Sequence, residues 1–436
     1  MSALVPPLAA RIARHETAQR RRHTMERLAR SIASVGGKLP GTMADPPTIT
    51  VGSFSNLTDL PQPHVHFAPL VDGALSPRMA FLAGDWGPSP FPVPAGFVSP
   101  WGPHRGDGTD ANARTNRVSL QNGAIEFSTA APDLVIVSNT LGARYHLLID
   151  GEYAFEGSVV DADQTRQNTR LRFGDGSSAH ATLRHYRIVA GSGFSFEGVK
   201  CSALYPPFAE RRTDRLKIVL HGDSFAEGTG SSPAFRHPSM SGVLAQLLGQ
   251  HDTRCSAIGS TGFVWNGAGY NNALQRVESD IVEPGFDVVI DTMGVNDGGF
   301  VNSDPANEAV LEAAVEGWLA KVRRGLPDAP VFMTGPMSPR SPTGAPSTVH
   351  AVKTRVAARW ATQGVHFIDN ADEDRWVTGS GYAGNPKGDG NADWVTGGAT
   401  GTDQTHPTPA GHVYLARRIA QGIARSIAKA TASAPG

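Results

Sequence analysis

The feature that most constrains this chain is a change of pattern at Pro206-Pro207. Before it, Ala124–Ser128, Leu134–Ser138, Arg144–Ile149, Thr169–Phe173, Ala181–Val189 and Phe194–Ser202 are short β-prone runs. Turn signals such as Asp150-Gly151 and Gly174-Asp175-Gly176 separate them. Strands at this spacing must pair face to face or close on themselves to bury their edges. The pattern predicts an all-β, jelly-roll-like sandwich over residues 67–205. After the two prolines, Leu216–Leu220, Asp287–Met293, Val331–Thr334 and Val365–Ile368 are nearly all apolar, and helical patterns at 239–249, 305–325, 347–362 and 409–429 alternate with them. Apolar strands without polar alternation are buried on both faces, so residues 206–436 read as a three-layer α/β/α unit around a parallel sheet. In such a unit the chemistry is expected at the carboxyl ends of the strands.

Residues 1–66 stand apart from both units. Leu8, Ile12, Met25, Leu28 and Ile32 lie at helical spacing over 8–35, and Gly36-Gly37 ends the pattern. The opposite face carries Arg14, Arg20, Arg21, Arg22, Arg27 and Arg30. The expectation is a solvated helix packed on its own chain or on a sister subunit, with a homo-oligomer as one outcome. Residues 38–66 are Pro-rich and read as an extended strap. With 39 basic and 40 acidic side chains, the net charge of -1 gives no electrostatic case for a nucleic acid or an anionic membrane. No apolar run is long enough to span a bilayer, and Arg11, Arg14 and Arg20 to Arg22 interrupt any secretory core. A cytoplasmic chain is expected, compatible with release by lysis or by a signal-independent route. Cys201 and Cys255 cannot form a disulfide framework.

The first strand of the second unit runs into His221-Gly222-Asp223-Ser224-Phe225. A serine on a tight turn at a strand end is held at the rim of the sheet, but it needs a base and a group to orient that base. Asp403-Gln404-Thr405-His406-Pro407 stands just before the last helical pattern. The three-residue step lets Asp403 reach Nδ1 of His406 and leaves Nε2 free to face a serine. Gly294-Val295-Asn296-Asp297 follows another strand, where an asparagine amide can meet a developing oxyanion. Ile258-Gly259-Ser260-Thr261-Gly262 follows the run Arg254–Ala257, and a glycine there brings its backbone N–H close to the same oxygen.

Together these four blocks resemble the SGNH, or GDSL-type, hydrolase family. Gly222-Asp223-Ser224 matches the first block, Gly262 the second, Gly294-x-Asn296-Asp297 the third and Asp403-x-x-His406 the last. The resemblance implies an ester hydrolase in which Ser224 is the nucleophile, His406 the general base and then acid, and Asp403 the orienting carboxylate. It implies an oxyanion hole from the N–H groups of Ser224 and Gly262 and the amide of Asn296, with Gly259 competing for the glycine's place. No metal and no organic cofactor are implied. A β-sandwich ahead of such a unit is similar to the layout of the second family of carbohydrate esterases, which implies a small acyl ester, acetyl on a sugar, as substrate.

Other signals point elsewhere or nowhere. Gly228-Thr229-Gly230-Ser231-Ser232-Pro233 begins like a dinucleotide loop but ends in proline. His64-Val65-His66 has no further ligand nearby, and Asp107–Asp110 and Gly388–Asn391 lack a spaced acidic set, so ordinary turns and surface histidines are expected. The long Gly-, Asn- and Asp-rich stretch 377–402 precedes Asp403 and holds Tyr382 and Trp394, which are expected to line the substrate cleft. The sandwich is expected to dock near the catalytic face and to narrow that cleft. The alternatives are a general short-chain carboxylesterase or lipase without sugar specificity, and a non-catalytic carbohydrate-binding or phage-tail-like protein that retains the fold.

Overall fold

The computed structural model describes residues 8–432, apart from 54–63, 84, 89–97, 102–122, 140–143, 157–158, 161–165, 191–193, 231–238, 268–269, 338–346, 372–374 and 398–402. The turn Asp107–Asp110 and the last residues of the 377–402 stretch therefore lie outside the described residues.

Two antiparallel sheets precede the parallel one. In the larger, the order is Thr48–Ser53, Arg166–Arg172, Asp133–Asn139, Ser195–Ser202, Val98–Trp101 and Asp85–Pro88, with His64–Phe67 also on Ser195–Ser202. In the other, Arg144–Ile149, Arg184–Ala190, Gly123–Thr129 and Ala80–Leu82 follow one another, flanked by two short pieces. Their inner faces share one core: Ile125, Phe127, Leu147, Tyr186 and Ile188 from the smaller sheet meet Leu134, Ile136, Leu171, Phe196 and Val199 from the larger. This is a sandwich held by alternate residues of both sheets. One expectation changes. The stretch read as an extended strap supplies an edge strand, Thr48↔Arg172 through Ser53↔Gln167, because its β-branched residues complete an open edge.

The second unit carries five parallel strands in the order Thr253–Ala257, Ile218–Gly222, Val288–Asp291, Val331–Thr334 and Val365–Ile368. Ile218 and Leu220 face the helices Met240–Leu247 and Pro409–Ala432, whereas Val219 faces Asn307–Gly325 and Thr348–Trp360. Chain order 2-1-3-4-5 puts a switch point where Ile218–Gly222 lies between its two neighbours, and crevices at carboxyl ends open there.

The N-terminal helix, Leu8–Val35, packs on its own chain: Met25 and Leu28 enter the core beneath Pro409–Ala432, and Arg27 donates to the carbonyls of Thr213 and Arg215.

The sandwich docks elsewhere than the sequence led us to expect. Among the described residues, Glu126 binds Arg187 and Arg215, each at 2.7 Å, Gln246 donates to Tyr153 Oη at 2.7 Å, and the Ala83 N–H donates to Asp252 at 2.8 Å. Arg215 and Asp252 immediately precede parallel strands, so these contacts meet the amino-terminal rim, opposite Ser224. The physical reason is the buried Glu126 carboxylate. It is drawn to the arginine-bearing segment that joins the two units, and that segment enters the sheet from below.

Candidate active site

Gly222 ends its strand where a Cβ would come within 2.5 Å of Ala226 and 2.7 Å of Thr292 Oγ1, so only glycine allows so tight a turn. Asp223 caps the short helix Ser224–Glu227 by accepting from the Phe225 N–H at 3.2 Å. Its other oxygen accepts from the N–H groups of Gly294 at 3.3 Å and Val295 at 3.4 Å, which fastens the serine turn to the loop carrying Asn296. Burial raises the Asp223 carboxyl to about 6; the N–H donors from Phe225, Val295 and Gly294 and the charge of Lys353 work against it.

His406 Nε2 lies 2.8 Å from Ser224 Oγ. On the other side of the ring, His406 Nδ1–H donates to Asp403, whose second oxygen accepts from the Thr405 N–H at 2.9 Å and the His406 N–H at 3.3 Å. This arrangement gives Nδ1 the proton and leaves Nε2 as the acceptor of the serine hydroxyl. Burial pulls the Asp403 carboxyl upward, but the hydrogen bonds from His406 and Thr405 outweigh it and hold the group below its usual range. Ser224 is only 7% exposed, whereas the His406 and Asp403 side chains are 20% and 37% exposed, so the serine is buried and its partners reach toward solvent.

Both glycines expected as oxyanion donors have their N–H groups in other hydrogen bonds. The Gly262 N–H donates to the Trp265 carbonyl at 2.8 Å, and a Cβ there would strike the Asp297 carboxylate at 2.3 Å. Gly262 is therefore glycine to let Asp297 in, and its N–H is already spent. Asp297 uses that space to accept from the N–H groups of Phe263, Val264 and Trp265 at 2.7, 3.0 and 3.0 Å. The competitor fares no better, since the Gly259 N–H donates to Glu227 at 2.7 Å. Between the two glycines sits Ser260, a non-glycine residue at φ 63, exposed, whose N–H has no acceptor among the described residues. A Cβ on the adjacent Gly259 would be 3.4 Å from Ser224 Cβ, so this loop borders the nucleophile. The Ser224 N–H is likewise without an acceptor among the described residues. Asn296 donates one amide hydrogen to the Thr261 carbonyl at 2.9 Å, and the other has no acceptor among the described residues. Among the described residues the donors here without an acceptor are thus the N–H groups of Ser224 and Ser260 and one amide hydrogen of Asn296. No sequence signal marked Ser260, because a left-handed serine looks like any other serine until φ is known.

A buried ion cluster also escaped notice. His221 donates to Asp291 at 2.8 Å, and Lys353 Nζ lies 2.7 Å from the other Asp291 oxygen and 2.7 Å from the Met293 carbonyl that it donates to. All three side chains are fully buried. The cluster fixes the start of the loop that carries Asn296.

Tyr382 and Trp394 lie on the segment before His406. Tyr382 Oη accepts from Gln404 at 3.3 Å, and Trp394 is 45% exposed with its ring edge-on to Tyr414. The Gly397 N–H donates to the His406 carbonyl and Thr408 Oγ1 to the Trp394 carbonyl, so the segment is tied to the histidine turn. Trp265, 46% exposed, stands on the loop that Asp297 holds. Among the described residues no group of three or more His, Cys, Asp or Glu is arranged to hold a metal ion, and no helix is long and apolar enough to cross a membrane.

Residues 220–414 match the model of the GDSL-like lipase/acylhydrolase family. A salicylyl-acyltransferase from a tetracycline biosynthetic pathway has a similar solved structure, with TM-score 0.61 and 15% identity over 85% of this chain and 98% of that one. A family two carbohydrate esterase from Cellvibrio japonicus gives 0.54 and 12% over 87% and 99%. An acetyl xylan esterase from the rumen bacterium Butyrivibrio proteoclasticus gives 0.50 and 12% over 82% and 97%. At these coverages the likeness takes in both the sandwich and the parallel sheet, and at these identities it is a likeness of fold. No curated protein matches the sequence.

Proposed function

Residues 220–414 form a hydrolase domain of the GDSL-like lipase/acylhydrolase family, and from that premise we propose that the chain cleaves short-chain acyl esters through an acyl-enzyme on Ser224. The observation that carries the reading is the unbroken line from Ser224 Oγ through His406 to Asp403. Ser224 Oγ attacks the ester carbonyl as its proton passes to His406 Nε2. Asp403 holds the imidazolium in place. The new oxyanion meets the N–H groups of Ser224 and Ser260 and the remaining amide hydrogen of Asn296, donors that face charge formed only in the transition state. His406 then protonates the departing alcohol. Water gives its proton to the same nitrogen, attacks the acyl carbon and releases the acid and Ser224.

An acetyl group on a carbohydrate is the substrate this reading favours. Trp394, on the segment tied to the His406 turn, and Trp265, on the loop that follows Ser260, each offer an exposed aromatic side chain, the kind of surface on which a sugar ring rests. Of the proteins of similar fold, one is by its name an acetyl xylan esterase and another a carbohydrate esterase. The test is a panel of p-nitrophenyl acetate, butyrate and octanoate alongside acetylated xylan. Preference for acetate and release of acetate from xylan support the proposal. Equal rates on all chain lengths with no release from xylan would leave a general carboxylesterase. The salicylyl-acyltransferase by its name passes an acyl group to an acceptor, so an added alcohol in the same assay reads transfer as a separate product.

A further inference from the structure

Arg21 of the N-terminal helix, which ester hydrolysis does not use, borders a cavity of about 700 Å³ on the amino-terminal rim of the parallel sheet. Ala13, Thr17, Ala18 and Arg21 line it from the helix, and Arg323, Pro327, Thr362 and Gln363 from the main body. Pro327 and Gln363 immediately precede the strands Val331–Thr334 and Val365–Ile368. Ser224 follows the opposite end of its strand, so the cavity is remote from it.

The charges around this cavity are not balanced. Asp328 binds Arg20 through one oxygen at 2.6 Å and also attracts Arg21, and Glu16 lies 3.9 Å from the Arg20 guanidinium, so no carboxylate among these serves Arg323. Arg21 and Arg323 form no ion pair among the described residues. Arg323 is only 9% exposed, and its Nε and Nη2 have no acceptor. Its Nη1 reaches the carbonyls of Leu326 and Pro327 at 3.5 and 3.4 Å, which is long for a charged donor. Arg21 Nε is buried and without an acceptor as well. A Cβ on Gly364 would lie 2.4 Å from Arg21 Nη1, so the missing side chain there lets the guanidinium lie against the loop. Burial lowers the Arg323 guanidinium to about 10, with Arg21 adding to the effect, and burial and then Arg323 and Arg21 push His366 down to about 4. Arg323 is a buried cation without a counter-ion among the described residues, which is costly, and the missing partner is an anion.

We propose that this cavity is a binding site for a small phosphate-bearing molecule, clamped between Arg21 on the N-terminal helix and Arg323 on the main body. A modest rotation of the Arg323 side chain presents its two unused donors to the phosphate. Arg21 closes from the other side, and Thr17, Thr362 and Gln363 supply neutral donors. The cavity is far larger than one phosphate and lies in the range of small-molecule sites, so an organic group can accompany the anion.

Calorimetric titration of the full chain with inorganic phosphate and with glycerol 3-phosphate, at matched ionic strength in sodium chloride, tests the proposal. Either ligand should give a saturable isotherm with one site per chain. Arg21→Gln, on the outer helix, should weaken binding by about 10-fold or more through loss of a charged donor. Ala18→Trp fills the cavity and should weaken it similarly with both charges kept. Arg355→Met removes an exposed arginine paired with Glu308 and Glu312, and should leave the affinity unchanged. Tighter binding of glycerol 3-phosphate than of phosphate would assign the remaining volume to the organic part. No saturable heat with either ligand, or an affinity indifferent to Arg21→Gln and Ala18→Trp, overturns the proposal.

Discussion

His406 Nε2 and Ser224 Oγ stand 2.8 Å apart although 182 residues separate them in the chain. Ser224 comes from the turn after the second strand in the sheet, and His406 from the turn that starts the last helix. Only a closed α/β/α unit brings the two ends together, so the hydrogen bond reports on the whole second unit.

Asp403→Asn keeps the shape of the carboxylate but removes its charge, and it can offer an N–H where His406 needs an acceptor. The imidazole then loses the partner that fixes its tautomer. The expected outcome is a fall in kcat of about 10²-fold or more with KM little changed. Steady-state kinetics on p-nitrophenyl acetate check this. An unchanged kcat would mean that the Thr405 and His406 backbone contacts are all that Asp403 provides.

The oxyanion assignment separates Ser260 from the two glycines. Asn296→Ala should lower kcat by about 10²–10³-fold, since the donor acts on charge that develops in the transition state. At φ 63 a β-branched side chain is strained. Ser260→Val should therefore reduce kcat by about 10-fold through displacement of the N–H, whereas Ser260→Gly should keep activity and raise stability by about 1 kcal/mol. Wild-type kcat in Ser260→Val, at a Tm lowered by strain, would remove Ser260 from the site.

Much of this was legible in the sequence, and the parts that were not share a cause. Apolar runs such as Val331–Thr334 announced the buried strands, because a strand covered on both faces has no polar positions to confuse the pattern. That Ser224, Asp403 and His406 come together was legible because each sits at an element boundary that its own neighbours mark. Gly262 is ambiguous in sequence because glycine is required equally by a close N–H and by a close side chain, and in the structure Asp297 fills the space beside it. Ser260, the Lys353 cluster and the docking rim of the sandwich depend on φ or on partners distant in sequence. Glu126 in particular occupies an ordinary strand position, and only its contact with Arg215 shows which face it turns to the second unit.

Lys353→Met leaves Asp291 buried beside His221 without its cation. Breaking a buried pair in this way costs about 3–5 kcal/mol. A large drop in Tm is expected, and activity per folded molecule should fall too, because the Met293 carbonyl at the start of the Asn296 loop loses its donor. Lys353→Met together with Asp291→Asn should recover part of the stability. No recovery in the double variant would show that the two residues act independently.

Asp223 gives a pH signature in stability. An acid raised in the folded state favours its protonated form there, so between 3.8 and about 6 the folded chain binds more protons at this site than the unfolded chain. Its contribution therefore falls as pH rises through that window. Asp223→Asn removes the contribution, so the variant's stability relative to wild type should rise between pH 4 and 6 and flatten above. Chemical denaturation at stepped pH measures the difference. A difference that is level or falls across the window would contradict the raised carboxyl.

The most direct measurement of the central claim is a rapid-quench intact-mass experiment on the full chain mixed with p-nitrophenyl acetate, run on wild type and on Ser224→Ala. The account predicts a transient mass increase of one acetyl group in the wild type, located to the peptide holding Ser224 and decaying with steady-state turnover. In Ser224→Ala both the adduct and the steady-state hydrolysis should vanish, by about 10³-fold or more in rate. An acetyl adduct on another residue with kinetically competent decay, or a Ser224→Ala protein that keeps more than a few per cent of wild-type turnover, would contradict it.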